Sequence, residues 1–150
     1  MRAVIQRVLS SKVEVDNQII GQIGRGLLVL VAVHCDDTEA QADWLASKIA
    51  RLRIFSDPEG KMNLSAADIG GQILVVSQFT LYGDCRKGSR PSYSHSAPPA
   101  EAARLYNYFV EKMKGSGLVV QEGHFQAHMQ VSLVNDGPVT VIIDTPSKAK

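Results

Sequence analysis

The sequence predicts an α/β protein of α+β character: one domain on a curled, mainly antiparallel, barrel-like β-sheet, with two principal helices outside it. Three observations predict this. Apolar and polar residues alternate through the first third of the chain, as strands with one buried face require. Two later segments repeat their apolar residues at helical spacing instead. Connections between elements are short and hairpin-like, and no linker, internal repeat or low-complexity segment divides the 150 residues, a length that suits one domain.

The elements follow in order. Val4, Val8, Val13 and Val15 interleave with polar residues, and Gln18 to Ile23 leads into the run Leu27 to Val33. That run is short, continuous and rich in β-branched residues, the pattern of a strand buried on both faces. Gly21, Gly24 and Gly26 are expected at tight turns of an opening antiparallel meander. Thr38 with Gln41 forms a capping box, and Trp44, Leu45, Ile49 and Leu52 follow on one face of a helix. Asp57-Pro58-Glu59-Gly60 makes a turn, and Ile73-Leu74-Val75-Val76 forms a second buried strand that runs into Ser77.

Pro98-Pro99 can open a helix because the first helical positions have no intrahelical donor to lose. Ala102, Leu105, Tyr106, Phe109, Val110 and Met113 continue it, and Gly115-Ser116-Gly117 stops it. Its aromatic residues read as core at this periodicity. Closing strands are expected over 118–121, 129–134 and 139–144. The domain is expected to span 1–145, with 146–150 a disordered tail, since Pro146-Ser147-Lys148-Ala149-Lys150 has no apolar period.

Composition narrows the function. A hydrophobic content of 45% with 21% charged residues is ordinary for a globular core. The net charge of +1 argues against a broad nucleic-acid surface, which needs a large basic excess, and no DNA partner is expected. Arg86, Lys87 and Arg90 form a local basic cluster that reads either as a solvated loop or as a grip on the end of an RNA. Cys35 and Cys85 lie far apart with no CxxC spacing, which suggests neither a zinc knuckle nor a disulfide framework. Among His34, His95, His124 and His128, only the last two stand four apart, and Phe125-Gln126-Ala127 between them supplies no catalytic glutamate. No metal and no cofactor is expected. With charges inside the apolar amino terminus and no run of roughly 18 apolar residues, the reading is a cytoplasmic protein without a membrane partner.

Two segments carry the chemistry. Ser77-Gln78-Phe79-Thr80-Leu81 puts hydroxyls, an amide and an aromatic ring directly after a buried strand, and Asn135-Asp136-Gly137-Pro138-Val139-Thr140 breaks an apolar strand with Gly-Pro. Taken alone, the first could be a polar strand end and the second a bulge or edge-strand break. Arg7 could be a solvated strand arginine and Met129 a core methionine.

Both segments, in this order, resemble the D-aminoacyl-tRNA deacylase family, also called D-tyrosyl-tRNA deacylases. The resemblance extends through Met1 to Val8, Gly60-Lys61-Met62-Asn63-Leu64-Ser65 and Arg90-Pro91-Ser92. One departure stands out: Gln126 and His128 occupy positions where members usually carry Gly and Asp.

The resemblance implies a homodimer with sites at its interface and aminoacyl-tRNA as the partner, held by its 3′-terminal adenosine and attached amino acid. It implies that Ser77, Gln78, Phe79 and Thr80 line the aminoacyl pocket, with Thr80 positioning and not attacking, since no partner base is evident. The 2′-hydroxyl of the terminal adenosine would assist attack. Gly137-Pro138 would be joined by a cis bond and project into the pocket of the other subunit, its carbonyls forming a wall that excludes L-side chains. D-aminoacyl esters, and glycine mischarged on a non-cognate tRNA such as tRNA-Ala, would be accepted. Arg7 would hold the Gly-Pro segment and Met129 would border the pocket. Two competing readings are a non-catalytic tRNA-end-binding module and a generic esterase with Thr80 as nucleophile.

Overall fold

The computed structural model describes residues 1–147; the last three residues of the expected tail lie outside them. Chain order is β1 (Arg2–Val15), β2 (Gln18–Ile23), β3 (Gly26–Ala32), α1 (Glu39–Ala50), β4 (Phe55–Ser56), β5 (Met62–Leu64) and β6 (Gln72–Ser77), followed by a 3-10 turn (Phe79–Tyr82), α2 (Pro99–Lys114), β7 (Val119–Glu122) and β8 (Gln130–Asp144). The α/β class with a curled sheet and two helices agrees with the prediction.

The long strand β1 organises the sheet. Its first half pairs with β3 and its second half with β2, while β8 runs antiparallel along its other side. Beyond β3 the sheet turns parallel: β6 pairs with β3, and β7 with β6. The reason is connectivity, because a hairpin can return a strand only antiparallel, whereas the crossovers through α1 and α2 return β6 and β7 parallel. The continuous apolar sequences of β3 and β6 match burial on both faces.

Two apolar cores follow from the two faces of this sheet. On one face Ala3, Ile5, Val29, Val31, Ile73 and Val75 pack against Leu45 and Ile49 of α1 and Leu105, Phe109 and Met113 of α2. Inside the curl, Val8, Val13, Ile23, Leu28, Leu74 and Val76 form a second cluster. The curl closes tightly because of glycine. A methyl on Gly21 would stand 2.8 Å from the Glu122 carbonyl oxygen of β7, and one on Gly26 would stand 1.8 Å from the Gln72 carbonyl oxygen.

Those glycines correct the expected turns. Gly21 lies within β2 and Gly26 begins β3, leaving only Gly24 in a connection. The β1–β2 turn is made by Asp16 and Asn17, both at positive φ, which Asn and Asp tolerate better than other side chains. Three further expectations change. The strands expected over 129–134 and 139–144 are one strand, β8, continuous through Gly137-Pro138 with irregular pairing opposite Arg7 and Leu9. Trp44 is 36% exposed beneath Lys48, so the buried face of α1 is Ala42, Leu45, Ala46 and Ile49. Leu52 lies past that helix.

Helix boundaries were otherwise legible. Thr38 donates its backbone N–H and its hydroxyl to Gln41 Oε1 at 2.9 and 2.7 Å, closing the start of α1. Gly60, at φ +80°, completes the expected turn, its N–H donating to the Asp57 carbonyl at 2.9 Å. Thr145 belongs to the folded body, donating its N–H to the Met1 carbonyl at 2.9 Å. No described helix is long and apolar enough to cross a membrane.

Candidate active site

The carboxyl end of β6 opens into a cleft of about 830 Å3. Ser77 pairs in register with Val31, so its position is fixed by the sheet. The Gln78 N–H donates to the Val31 carbonyl at 2.8 Å, and the chain then tightens into the 3-10 turn. Ser77, Gln78 and Phe79 line the cleft, and Met129 lines it as well. Gly123 makes room for that methionine, since a methyl there would stand 2.7 Å from its sulfur.

Thr80 is placed differently. It is exposed and lies outside the cleft lining, and its Oγ accepts a hydrogen bond from the Gln78 side-chain amide. The hydroxyl therefore orients Gln78, whose side chain does face the cleft.

The remaining walls were not legible in the sequence. One is the segment Tyr93 to Pro99, tied to the sheet by the Ala97 N–H donating to the Val33 carbonyl at 3.0 Å. Tyr93 meets Phe79 edge to face at 5.1 Å between ring centres. Phe79 is nevertheless 55% exposed, an apolar surface at the mouth. The other wall is Phe125, Gln126, Ala127 and His128. Phe125 packs on Tyr106, whose buried hydroxyl donates to the Val75 carbonyl at 3.3 Å and is pushed above its ordinary pKa by desolvation.

Both departures from the resemblance fall on this wall. Gln126 has φ +62°, a backbone region that glycine enters without cost. A glycine is thus the natural occupant, and Gln126 places an amide side chain at the cleft instead. His128 adds an imidazole. The cleft lining, among the described residues, contains no Asp, Glu, Lys, Arg or Cys.

The second motif is not in this cleft. Gly137 and Pro138, joined by a cis bond, are exposed on β8, some six residues beyond the Val131 that lines the cleft. At the rise of a strand that separation is roughly 20 Å. One chain therefore does not bring the two predicted parts together.

Arg7 bonds Asp136, next to the Gly-Pro bond, and it is buried and not solvated. It is 9% exposed, donating from Nη1 to the Ile54 carbonyl at 2.8 Å and from Nε to the Asp136 carbonyl at 3.3 Å, with the Asp136 carboxylate 3.1 Å away. Asn135, which sequence reasoning passed over, clasps the same irregularity by donating from Nδ2 to the Arg7 and Val139 carbonyls, both at 3.0 Å. Its place just before Asp-Gly-Pro was the available signal.

The basic cluster is partly spent. Asp84 binds Arg86 through several short contacts, and that pairing holds the Asp84 carboxyl well below the usual carboxylate range.

Residues 4–144 match the model of a family described as D-Tyr-tRNA(Tyr) deacylase. The chain belongs to that family of hydrolases. It is 58% identical to a D-aminoacyl-tRNA deacylase of Thermotoga petrophila over 145 residues, 97% of each chain. A D-aminoacyl-tRNA deacylase of Thermosipho africanus is 61% identical over the same share of both chains. Among solved structures, a c-Myc DNA unwinding element binding protein superposes with a TM-score of 0.91 at 38% identity, covering 98% of this chain and 100% of that one. A probable eukaryotic D-amino acid tRNA deacylase superposes at 0.81 with 20% identity over 95% and 97% of the two chains, a likeness of fold.

Proposed function

We propose that this protein hydrolyses the ester joining a D-amino acid to the 3′-terminal adenosine of tRNA, releasing free amino acid and tRNA in the cytoplasm, without a cofactor. One observation carries the reading. In a chain that matches the deacylase model from end to end, the end of β6 opens into a cleft that presents Ser77, Gln78 and aromatic faces. Such a lining suits a nucleoside and its ester, which need stacking surfaces and a few placed hydrogen bonds.

The chemistry must then come largely from the substrate. Water adds to the ester carbonyl, the bond to the 3′ oxygen breaks, and that oxygen leaves with a proton. The family resemblance makes the adjacent 2′-hydroxyl of the RNA the group that assists attack, a role in keeping with a cleft lining that holds no carboxylate. The N–H groups that open the 3-10 turn have no partner three residues back inside that turn, and of these residues Phe79 lines the cleft. They are suited to the developing oxyanion.

Handedness is read by a second copy of the chain. Gly137-Pro138 cannot serve its own cleft at roughly 20 Å along a strand, yet Arg7 and Asn135 fix it from beneath and leave its backbone exposed. The neighbouring surface of β1 and β8 carries exposed Leu9, Val134 and Ile142, the last at 65%. Such a face suits a homodimer that delivers each Gly-Pro segment to the partner's cleft. Main-chain carbonyls there would leave no room for an L-side chain, while a D-side chain, or glycine mischarged on tRNA-Ala, passes. Discrimination by backbone tolerates many side chains.

Purified protein incubated with D- and L-tyrosyl-tRNA tests the proposal. Selective release of D-tyrosine is the expected result. Binding without release would favour a tRNA-end-binding module, and comparable cleavage of simple esters a generic esterase.

A further inference from the structure

The loop that leaves β3 gathers three chemically different ligands that the deacylase reading does not use. His34 Nδ1 lies 3.7 Å from Cys35 Sγ and 3.7 Å from Asp36 Oδ2, and the three ligand atoms are all within 4.8 Å of one another. We propose that His34, Cys35 and Asp36 form a binding site for a zinc-class divalent ion.

The spacing fits the chemistry. With zinc–sulfur and zinc–nitrogen bonds of about 2.3 and 2.0 Å in a tetrahedron, nitrogen and sulfur ligands stand roughly 3.5 Å apart, and nitrogen and oxygen roughly 3.3 Å. The two separations from Nδ1 exceed these by a few tenths of an ångström, and the sulfur–oxygen pair lies within 4.8 Å. The His34 Nδ1 accepts the Asp36 N–H at 3.2 Å, a long hydrogen bond whose lone pair an arriving ion would have to take over. A thiolate, an imidazole and a carboxylate together select a borderline metal over magnesium or calcium.

The backbone beneath the ligands is fixed independently of any ion. Asp37 is not itself a ligand, because its carboxylate accepts the buried Met1 ammonium at 2.6 Å and the His34 N–H at 2.6 Å. The Asp37 N–H returns to the His34 carbonyl at 3.1 Å, and the Cys35 N–H donates to the His95 carbonyl at 3.0 Å. The His34 ring is braced between Tyr82, edge-on at 5.3 Å, and His95, stacked at 5.8 Å. Alongside opens a separate cavity of about 490 Å3 lined by His34, Asp36, Asp37 and Asp144. Of its carboxylates, Asp37 is paired with the Met1 ammonium and Asp144 with Arg2 at 2.7 Å, which leaves Asp36 as the lining carboxylate that neither cation neutralises. Three protein ligands leave a fourth position open to solvent.

Cobalt(II) is the probe, because thiolate ligation to it gives an intense near-ultraviolet charge-transfer band. The full chain should develop that band with saturation at one equivalent, and added zinc should abolish it. Cys35→Ser should remove the band, and His34→Ala and Asp36→Asn should each weaken cobalt binding by about tenfold or more, the scale on which even outer partners of a metal site act. Cys85→Ser, at the other exposed thiol, should leave the band intact. Circular dichroism of each variant guards against misfolding. Absence of the band in the wild type with cobalt in large excess, or its persistence in Cys35→Ser, would overturn the proposal. Neither result bears on deacylation, which this titration does not read.

Discussion

The cleft at the end of β6 and the Gly137-Pro138 segment on β8 are built in opposite ways. The cleft is lined by four separate stretches of one chain: Val33, the end of β6, the segment from Tyr93 and the segment from Phe125. The Gly-Pro segment is bonded only from beneath, by Arg7 and Asn135, with its upper side bare. A concave receptor and a rigid exposed backbone on the same molecule suit exchange between two copies. The contrast separates residues that line a cleft from those that hold an exposed backbone segment in place.

The largest effect should come from removing the second copy. Ile142→Asp puts a charge on the exposed apolar face opposite Val4. If the wall comes from a partner, sedimentation should show a monomer, and turnover of D-tyrosyl-tRNA should fall by about two orders of magnitude, as misplacement of a positioning group does. A monomeric variant of full activity would break the comparison, leaving the cleft self-sufficient.

Next comes the wall itself. Gly137 has φ +120°, and an added methyl would stand 2.7 Å from Val139 Cγ2 and 2.9 Å from Arg7 Nη2. Gly137→Ala should therefore displace the segment within its own chain, lowering D-selective turnover by about tenfold to a hundredfold while L-substrate remains uncleaved or gains. Undiminished chiral selectivity would show that handedness is read elsewhere.

Arg7→Ala tests the support and not the wall. It strips a buried carbonyl of its partner and frees Asp136, which should cost about 2–4 kcal/mol in denaturant unfolding. Arg7→Lys should recover part of the stability but less of the activity, because a point charge cannot reproduce the fork that reaches Ile54 and Asp136 together.

On the cleft side, effects should be smaller. Thr80→Ala removes only the acceptor that orients Gln78 and should slow turnover by about tenfold, with no acyl-threonine trapped in the wild type. Complete loss with a trapped acyl-enzyme would make Thr80 the nucleophile.

The smallest effect lies outside both regions. Burial lowers the Met1 ammonium from its ordinary value near 8.0, with the Asp37 contact opposing it. The folded state thus releases this proton first, the unfolded chain binds more protons in the window, and stability should rise as pH climbs from the folded value towards 8. Chemical denaturation across that range checks the sign.

Much of this fold was written in local periodicity. β3, β6 and α2 follow from apolar spacing because burial imposes a repeat that neighbours along the chain display. The crossovers that turn half of the sheet parallel could not be read that way, nor could the jobs of Gly21 and Gly26, which answer to backbone from β7 and β6. The site divides similarly. Ser77, Gln78 and Phe79 announced themselves by interrupting an apolar strand, whereas Tyr93 and Phe125 to His128 sit in irregular segments where no period marks a cleft wall.

By itself the sequence determined β3, β6, the two helices and the two motifs, since each is encoded in residues adjacent along the chain. Tertiary structure alone decided what those motifs face: that Ser77, Gln78 and Phe79 meet the Phe125 to His128 wall, that Arg7 is buried beneath Asp136, and that Gly137 lies outside its own cleft. Contact across a closed sheet depends on which strands become neighbours, and that is a property of the whole fold, with no local signature.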